Sequence, residues 1–243
     1  MQESYHKWHS QYLNHNLEML VFGSYGYPII LFPTEKGKYY DCKNFSLITS
    51  IQHFIEEGKI KIYCPEVIDS ESWYNFDIQP AERVKKHIIY EKVILNDVLE
   101  FAKYETEQKF VGVAGCSFGG YHAINLAFRH PDKISSVISM GGFFDIKQFI
   151  YGYYDDNCYF NNPPDYMPNL EDEWYLEKIR TMKIFIGTGE FDFTINENKK
   201  LSDILTSKSI NHSFNIYNAG KHDWETWKIM FVDYVSKILE SNK

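Results

Sequence analysis

No apolar run in the 243 residues approaches the ~18 that a membrane-spanning helix needs, which argues against an embedded helix. Internal repeats, low-complexity tracts and Pro/Gly/Ser linkers are also missing, so one domain over residues 1–243 is the simplest organisation. Cysteine is scarce: Cys42, Cys64, Cys116 and Cys158 form no C-x-x-C pair and no cluster with histidine, which leaves a zinc site without support. A chain of this size needs no disulfide staples, and buried free thiols are expected. Basic charge is short as well. Lys+Arg 25 against Asp+Glu 33 leaves a net charge of −8, which argues against nucleic acid or an anionic membrane as partner. The opening residues, MQESYHKWHSQYLNHNLEML, are too polar for a secretory signal peptide, and a cytoplasmic protein is expected.

What is present is a 44% hydrophobic chain, ample for a buried core, with 5 Trp, 19 Tyr and 18 Phe. Neither acid nor aromatics are evenly spread. Residues 143–175 hold seven acids against the single base Lys147, and 11 of the aromatic side chains, so this stretch carries −6 of the −8. Elsewhere the pattern alternates. Short apolar runs predict strands at 28–32, 60–64, 110–114, 134–140, 182–187 and 213–217, after two more polar strands at 5–11 and 17–22. Helical periodicity is read at 45–56, 80–104, 118–129, 196–207 and 224–239. Apolar strands alternating with amphipathic helices mean an α/β fold with a mostly parallel sheet covered on both faces. The acidic, aromatic stretch falls where the alternation lapses, an insertion at about 143–180 expected to act as a lid or cap.

At the junction of the predicted 110–114 strand and 118–129 helix stands Gly115-Cys116-Ser117-Phe118-Gly119, a G-x-S-x-G pattern. The pattern alone is weak, but strand-then-helix is the context a nucleophile elbow requires. Glycine on both sides lets the two segments pass closely while the serine takes a strained turn and lifts its Oγ clear of the sheet. In such a fold the acid and the base follow from loops at later strand ends. Asp192 lies in the loop after 182–187, and His222 lies after 213–217, just before the last helix. Glu190 is the main rival to Asp192, and Asp223 adjoins the histidine too closely to orient its far nitrogen. The eight other histidines read as surface or core-edge residues, and Cys116, one residue off the apex, reads as packing.

Gly115-Cys-Ser117-Phe-Gly119-Gly120, then Gly187-Thr-Gly-Glu-Phe-Asp192 with Asn196 and Asn198, then Lys221-His222-Asp223-Trp224-Glu-Thr-Trp227, resemble the putative-esterase family of α/β-hydrolases. That family includes S-formylglutathione hydrolases, feruloyl and acetyl-xylan esterases, and mycolyltransferases. The resemblance runs from about Tyr12 to Ile238 and implies an α/β-hydrolase fold and a serine esterase: Ser117 the nucleophile, His222 the base, Asp192 the acid that orients it. It implies that the Asp69–Tyr74 segment lines the site, with Trp73, Tyr74 and Trp224 expected against the substrate. One departure stands out. Relatives carry a His-Gly or Asp-Gly pair after the first buried strand, where a backbone N–H completes the oxyanion hole. Here Phe32-Pro33-Thr34-Glu35 follows, and Pro33 has no N–H to give. The expected donors are therefore Phe118 and either Thr34 or Glu35, with Thr34 the first choice.

The expected reaction is hydrolysis of a small ester through an acyl-enzyme, with no metal and no organic cofactor. Acyl transfer to a sugar or lipid hydroxyl uses the same acyl-enzyme, and a non-catalytic carbohydrate- or partner-binding protein is the reading from another class. An insertion carrying −6 near the site is expected to repel anions over a Debye length, ~8 Å at physiological salt, and so to favour neutral esters.

Overall fold

Strands β1 (Glu3–Ser10) and β2 (His15–Phe22) form an antiparallel hairpin that continues antiparallel onto β4 (Ile60–Pro65). From there every pairing is parallel, through β3 (Tyr27–Phe32), β5 (Val111–Cys116), β6 (Ile134–Met140), β7 (Lys183–Gly189) and β8 (Ser213–Tyr217). The computed structural model describes residues 1–240, and its eight strands lie in the order β1-β2-β4-β3-β5-β6-β7-β8. The fold is α/β, as expected. Strands β4 and β5 are buried along their whole length, which helices on both faces provide.

One face is covered by α1 (Pro80–Val93), α2 (Glu100–Thr106), α3 (Phe118–Arg129), α4 (Glu173–Thr181) and α5 (Ile195–Ser207), whose Val84, Ile124, Ile179 and Leu201 share one core. On the opposite face α6 (Trp224–Glu240) buries Trp227, Phe231, Tyr234 and Ile238 against Leu47, Ile48 and Ile51. Two predicted helices differ in detail. The 45–56 helix is instead two short pieces, Leu47–Ser50 and Gln52–Glu56, preceded by a third at Asp41–Asn44 and interrupted at Ser46 (φ 64) and Ile51; the run Ile48-Thr49-Ser50-Ile51 is poor in helix formers. The predicted 80–104 helix contains a π-helical stretch, Ile94–Leu99, where Asp97 turns to accept hydrogen bonds from Trp8 Nε1 (3.2 Å) and Ser10 Oγ (3.1 Å) on β1.

From β3 the chain crosses to β4 on one side and then returns to β5 on the other, so the order reverses between β3 and β5. Loops leaving the carboxyl ends of those two strands diverge and open a crevice. The loop after β3 is 33–37 and the turn after β5 is Ser117. Between β6 and β7, residues 141–182 add short helical turns and α4. This segment is tied down from outside: Arg83 Nη1 donates to Phe149 O (2.5 Å), Arg129 Nη1 to Phe160 O (2.7 Å) and Asn198 Nδ2 to Gly142 O (2.8 Å). Its aromatics divide, with Phe144, Phe149 and Tyr166 buried and Tyr151, Phe160 and Trp174 exposed. All four cysteines are free and buried. Among the described residues no helix is long and apolar enough to cross a membrane.

Candidate active site

Ser117 sits between β5 and α3 at φ 55, ψ −121, a backbone region that costs a non-glycine residue roughly 1–3 kcal/mol. Its neighbours show why the turn needs glycine. A Cβ on Gly115 would lie 2.1 Å from Gly119 O, and a Cβ on Gly119 would lie 2.1 Å from Pro33 O. Elbow and 33–37 loop are therefore in direct backbone contact. Hydrogen bonds from Ser117 N–H to Met140 O (2.8 Å) and from Gly120 N–H to Ser117 O (2.9 Å) hold the turn.

His222 reaches this point from the loop after β8. Its Nε2 is 2.8 Å from Ser117 Oγ, and its Nδ1 is 2.9 Å from Asp192 Oδ1. Asp192 follows β7 and is almost wholly buried. Thr194 donates to the same Oδ1 from both its N–H and its hydroxyl, each at 2.8 Å. Burial works to raise the Asp192 carboxyl, but the hydrogen bonds from His222 and Thr194 outweigh it and hold the group below the ordinary aspartate value. Phe193 packs its ring 4.3 Å from the imidazole, and Trp227 meets it edge-on at 5.0 Å. Gly141 (φ 59) leaves the room all this requires, since a Cβ there would stand 2.8 Å from Asp192 Oδ2 and 3.3 Å from His222 Nδ1.

The rivals are placed elsewhere. Glu190 accepts from Ala219 N–H (2.9 Å), and Asp223 accepts from Thr226 N–H (2.9 Å) at the start of α6. Cys116 is fully buried. His87 is also buried, and desolvation drives its pKa down to about 3, so it is neutral. His122 pairs with Asp69 (2.9 Å) and His130 with Glu91 (3.1 Å), away from Ser117.

A cavity of about 290 Å³ opens beside Ser117, walled by Tyr74, Phe118, Phe143, Phe149 and Phe193, with Glu35 as its charged side chain. Tyr74 stands on this wall. Trp73 does not: it is wholly buried behind Phe149 (6.3 Å) and against His87 (5.1 Å), because neighbouring side chains in this tight turn face opposite ways. Trp224 is also off the cavity wall, stacked flat on Phe45 (4.7 Å, 6°). Phe118, the first residue of α3, has an N–H with no intrahelical acceptor. In the 33–37 loop Thr34 O accepts from Gly37 N–H (3.0 Å), and Glu35 rather than Thr34 contributes side-chain wall. From the insertion the wall receives Phe143, Gln148 and Phe149 and none of the seven acids. Asp145, Asp155 and Asp172 instead cap short helices through Lys147 N–H, Cys158 N–H and Trp174 N–H, and Asp165 pairs with Lys147 (2.7 Å). Among the described residues no three His, Cys, Asp or Glu side chains gather as a metal-ligand set.

Three features of the site have no motif behind them: Phe193, Thr194 and Gly141. Thr194 did leave a signal, since Asp-x-Thr is a turn in which the carboxylate takes the N–H two residues on.

The family model described as "Putative esterase" matches residues 42–238. A curated acetyl esterase from Caldicellulosiruptor saccharolyticus is 24% identical over 166 residues, 59% of this chain and 61% of that protein. The chain thus aligns with about three fifths of that relative's length. Among solved structures, a ferulic acid esterase is similar with a TM-score of 0.79 at 15% identity, over 98% of each chain. An S-formylglutathione hydrolase from Staphylococcus aureus gives 0.72 at 17% identity, over 98% of this chain and 100% of that one. At such identities the shared feature is the fold.

Proposed function

The chain belongs to the Putative esterase family, and from that premise we propose that it is a serine carboxylic-ester hydrolase acting through an acyl-enzyme on a small ester. The observation that carries the reading is the unbroken chain of hydrogen bonds from Ser117 Oγ through His222 to Asp192, at 2.8 and 2.9 Å. Ser117 Oγ attacks the ester carbonyl as its proton passes to His222 Nε2. The His222 Nδ1–H stays on Asp192, whose buried carboxylate stabilises the imidazolium. The oxyanion is held by the Phe118 N–H and by a second N–H from the 33–37 loop, assigned to Thr34. His222 then delivers the proton to the leaving alcohol oxygen as the C–O bond breaks. Water attacks the acyl-Ser117, His222 takes its proton and returns it to Oγ, and the acid is released.

In this reading residues of about 143–180 are a cap whose contribution to the cavity is apolar, through Phe143 and Phe149. The preference for neutral over anionic esters then rests on Glu35 at the cavity wall, a nearer charge than the acids of the cap. Four free buried thiols fit a cytoplasmic, reducing compartment.

The test is turnover of p-nitrophenyl acetate and of its anionic succinyl analogue by wild type and by Ser117→Ala. Wild type should prefer the neutral ester, and the variant should lose on the order of 10⁶ in kcat. Wild-type rates in Ser117→Ala would overturn the assignment.

A further inference from the structure

Asp69 is a carboxylate with 0% exposure, 53 residues in sequence from His122, its side-chain partner. A buried carboxylate is costly unless donors satisfy it. Its two oxygens are divided between two parts of the site. Oδ1 accepts from His122 Nε2 (2.9 Å), and Oδ2 accepts from the Lys36 N–H (2.9 Å). His122 lies on α3, one turn after Phe118, and its ring meets the Phe118 ring edge-on at 5.1 Å. Lys36 lies in the loop after β3, two residues beyond Thr34, at a left-handed φ of 51. The Asp69 carbonyl also accepts from Tyr74 N–H (2.9 Å), which fixes the turn that presents Tyr74 to the cavity.

We propose that Asp69 is a positioning residue for the oxyanion hole, clamping the Thr34–Lys36 loop to the elbow helix through His122. The proposal rests on the esterase reading above. Two N–H donors from separate segments act together only if their spacing is fixed to a few tenths of an ångström, and a hole donor works only when it lies 2.7–3.1 Å from the position of the developing oxyanion. The Gly119–Pro33 contact sets how closely the segments approach. It does nothing to prevent the loop from lifting away. The Asp69 carboxylate supplies that restraint, pulling on a backbone N–H of the loop from one oxygen and on the helix from the other. Its charge strengthens both bonds relative to neutral ones.

The experiment is Asp69→Asn, with the fold checked by near-UV circular dichroism. Asparagine keeps the shape but offers one acceptor where two donors point. The expected result is a fall in kcat of roughly 10²-fold with KM little changed, the signature of an interaction realised in the transition state. A trifluoromethyl ketone, whose adduct places an oxyanion in the same hole, should lose affinity by a similar factor. Wild-type kcat in Asp69→Asn overturns the clamp, as does a lowered kcat with unchanged ketone affinity. Wild-type rates in Ser117→Ala instead overturn the esterase reading itself, so the two failures are distinguishable. Should Asp69→Asn not fold, amide exchange in the wild type decides. The Lys36 N–H must be protected like the amides of β3, and exchange at free-loop rates overturns the clamp.

Discussion

Replacing Gly119 by alanine probes the contact on which the site's geometry depends. Gly119 is the second residue of α3 and has no positive φ, so its backbone accepts alanine freely. Helix propensity alone would make the change stabilising by roughly 0.8–1 kcal/mol. The new methyl group, however, would stand 2.1 Å from Pro33 O and 2.6 Å from Phe32 O, where ordinary contacts begin near 3.4 Å. Relief requires the Pro33 carbonyl to withdraw by the difference, 1.3 Å. That carbonyl belongs to the same rigid peptide unit as the Thr34 N–H, so the assigned oxyanion donor is carried with it. A displacement of about 1 Å takes a donor out of range, which costs on the order of 10²-fold in kcat. Overpacking adds a stability loss of about 1–3 kcal/mol, partly offset by the propensity gain. Steady-state hydrolysis of p-nitrophenyl acetate and urea denaturation read the two effects separately. Gly152→Ala is the control, since it has φ 84 but nothing within 4 Å; it should lose about 1 kcal/mol and keep its kcat. A Gly119→Ala enzyme with wild-type kcat would refute both the rigid loop contact and the place of the second donor on it.

At the elbow apex Ser117→Gly and Ser117→Ala should both be inactive, yet the glycine variant should unfold at higher denaturant by about 1 kcal/mol, because it relieves the strain at φ 55 that alanine keeps. Equal stabilities would remove the strain argument. Asp192→Asn should lower kcat by roughly 10⁴ while Glu190→Gln stays near wild type, and the reverse ranking in the same assay would exchange their roles. Glu91 is buried, which works to raise its pKa, but His130 and a bidentate Arg129 outweigh burial and pull it from 4.5 to about 2. Its stabilisation is therefore complete above pH 4.5 and is lost as pH falls toward 2, a difference of about 3 kcal/mol. Denaturation of wild type and Glu91→Gln at pH 5 and pH 2.5 should show the gap between them closing at the lower pH, and a constant gap would exclude this linkage.

What could be read from the sequence was whatever the local backbone dictates. Strands β6 and β8 and helix α3 fall at the predicted bounds, because each is a self-contained apolar pattern with a turn signal at its end. Ser117, Asp192 and His222 belong to the same class, each placed at a strand's carboxyl end by the winding of the sheet. Side-chain direction was harder. Trp73 and Tyr74 are adjacent and equally aromatic, and nothing local says that one faces the core and the other the cavity. The Asp69–His122 pair is invisible for a different reason, since it joins elements 53 positions apart. The resemblance brings the Asp69–Tyr74 segment to the site, but His122 reads as a core-edge histidine, and the pairing shows only when β3, β5 and the turn after β4 are assembled side by side.

The acidity of residues 143–175 had a local meaning that its summed charge conceals. Asp145, Asp155 and Asp172 each stand two or three residues before the N–H they accept, the spacing by which aspartate starts a helix. Insertions built from very short helices have many helix starts per residue, and each start leaves N–H groups without intrahelical acceptors. Three of the seven acids answer that need, and Asp165 and Glu173 answer the cations Lys147 and Arg180, with no reference to a ligand. The aromatics divide by the same structural logic: Phe144 and Tyr166 hold the segment onto the sheet, while Phe143 and Phe149 form part of the cavity wall. The charged side chain on the cavity wall comes instead from the 33–37 loop, as Glu35, one residue from the proposed oxyanion donor. In the proposed esterase mechanism, substrate charge preference and oxyanion geometry are then two properties of one short loop. The Asp69 clamp on that loop is placed to affect both.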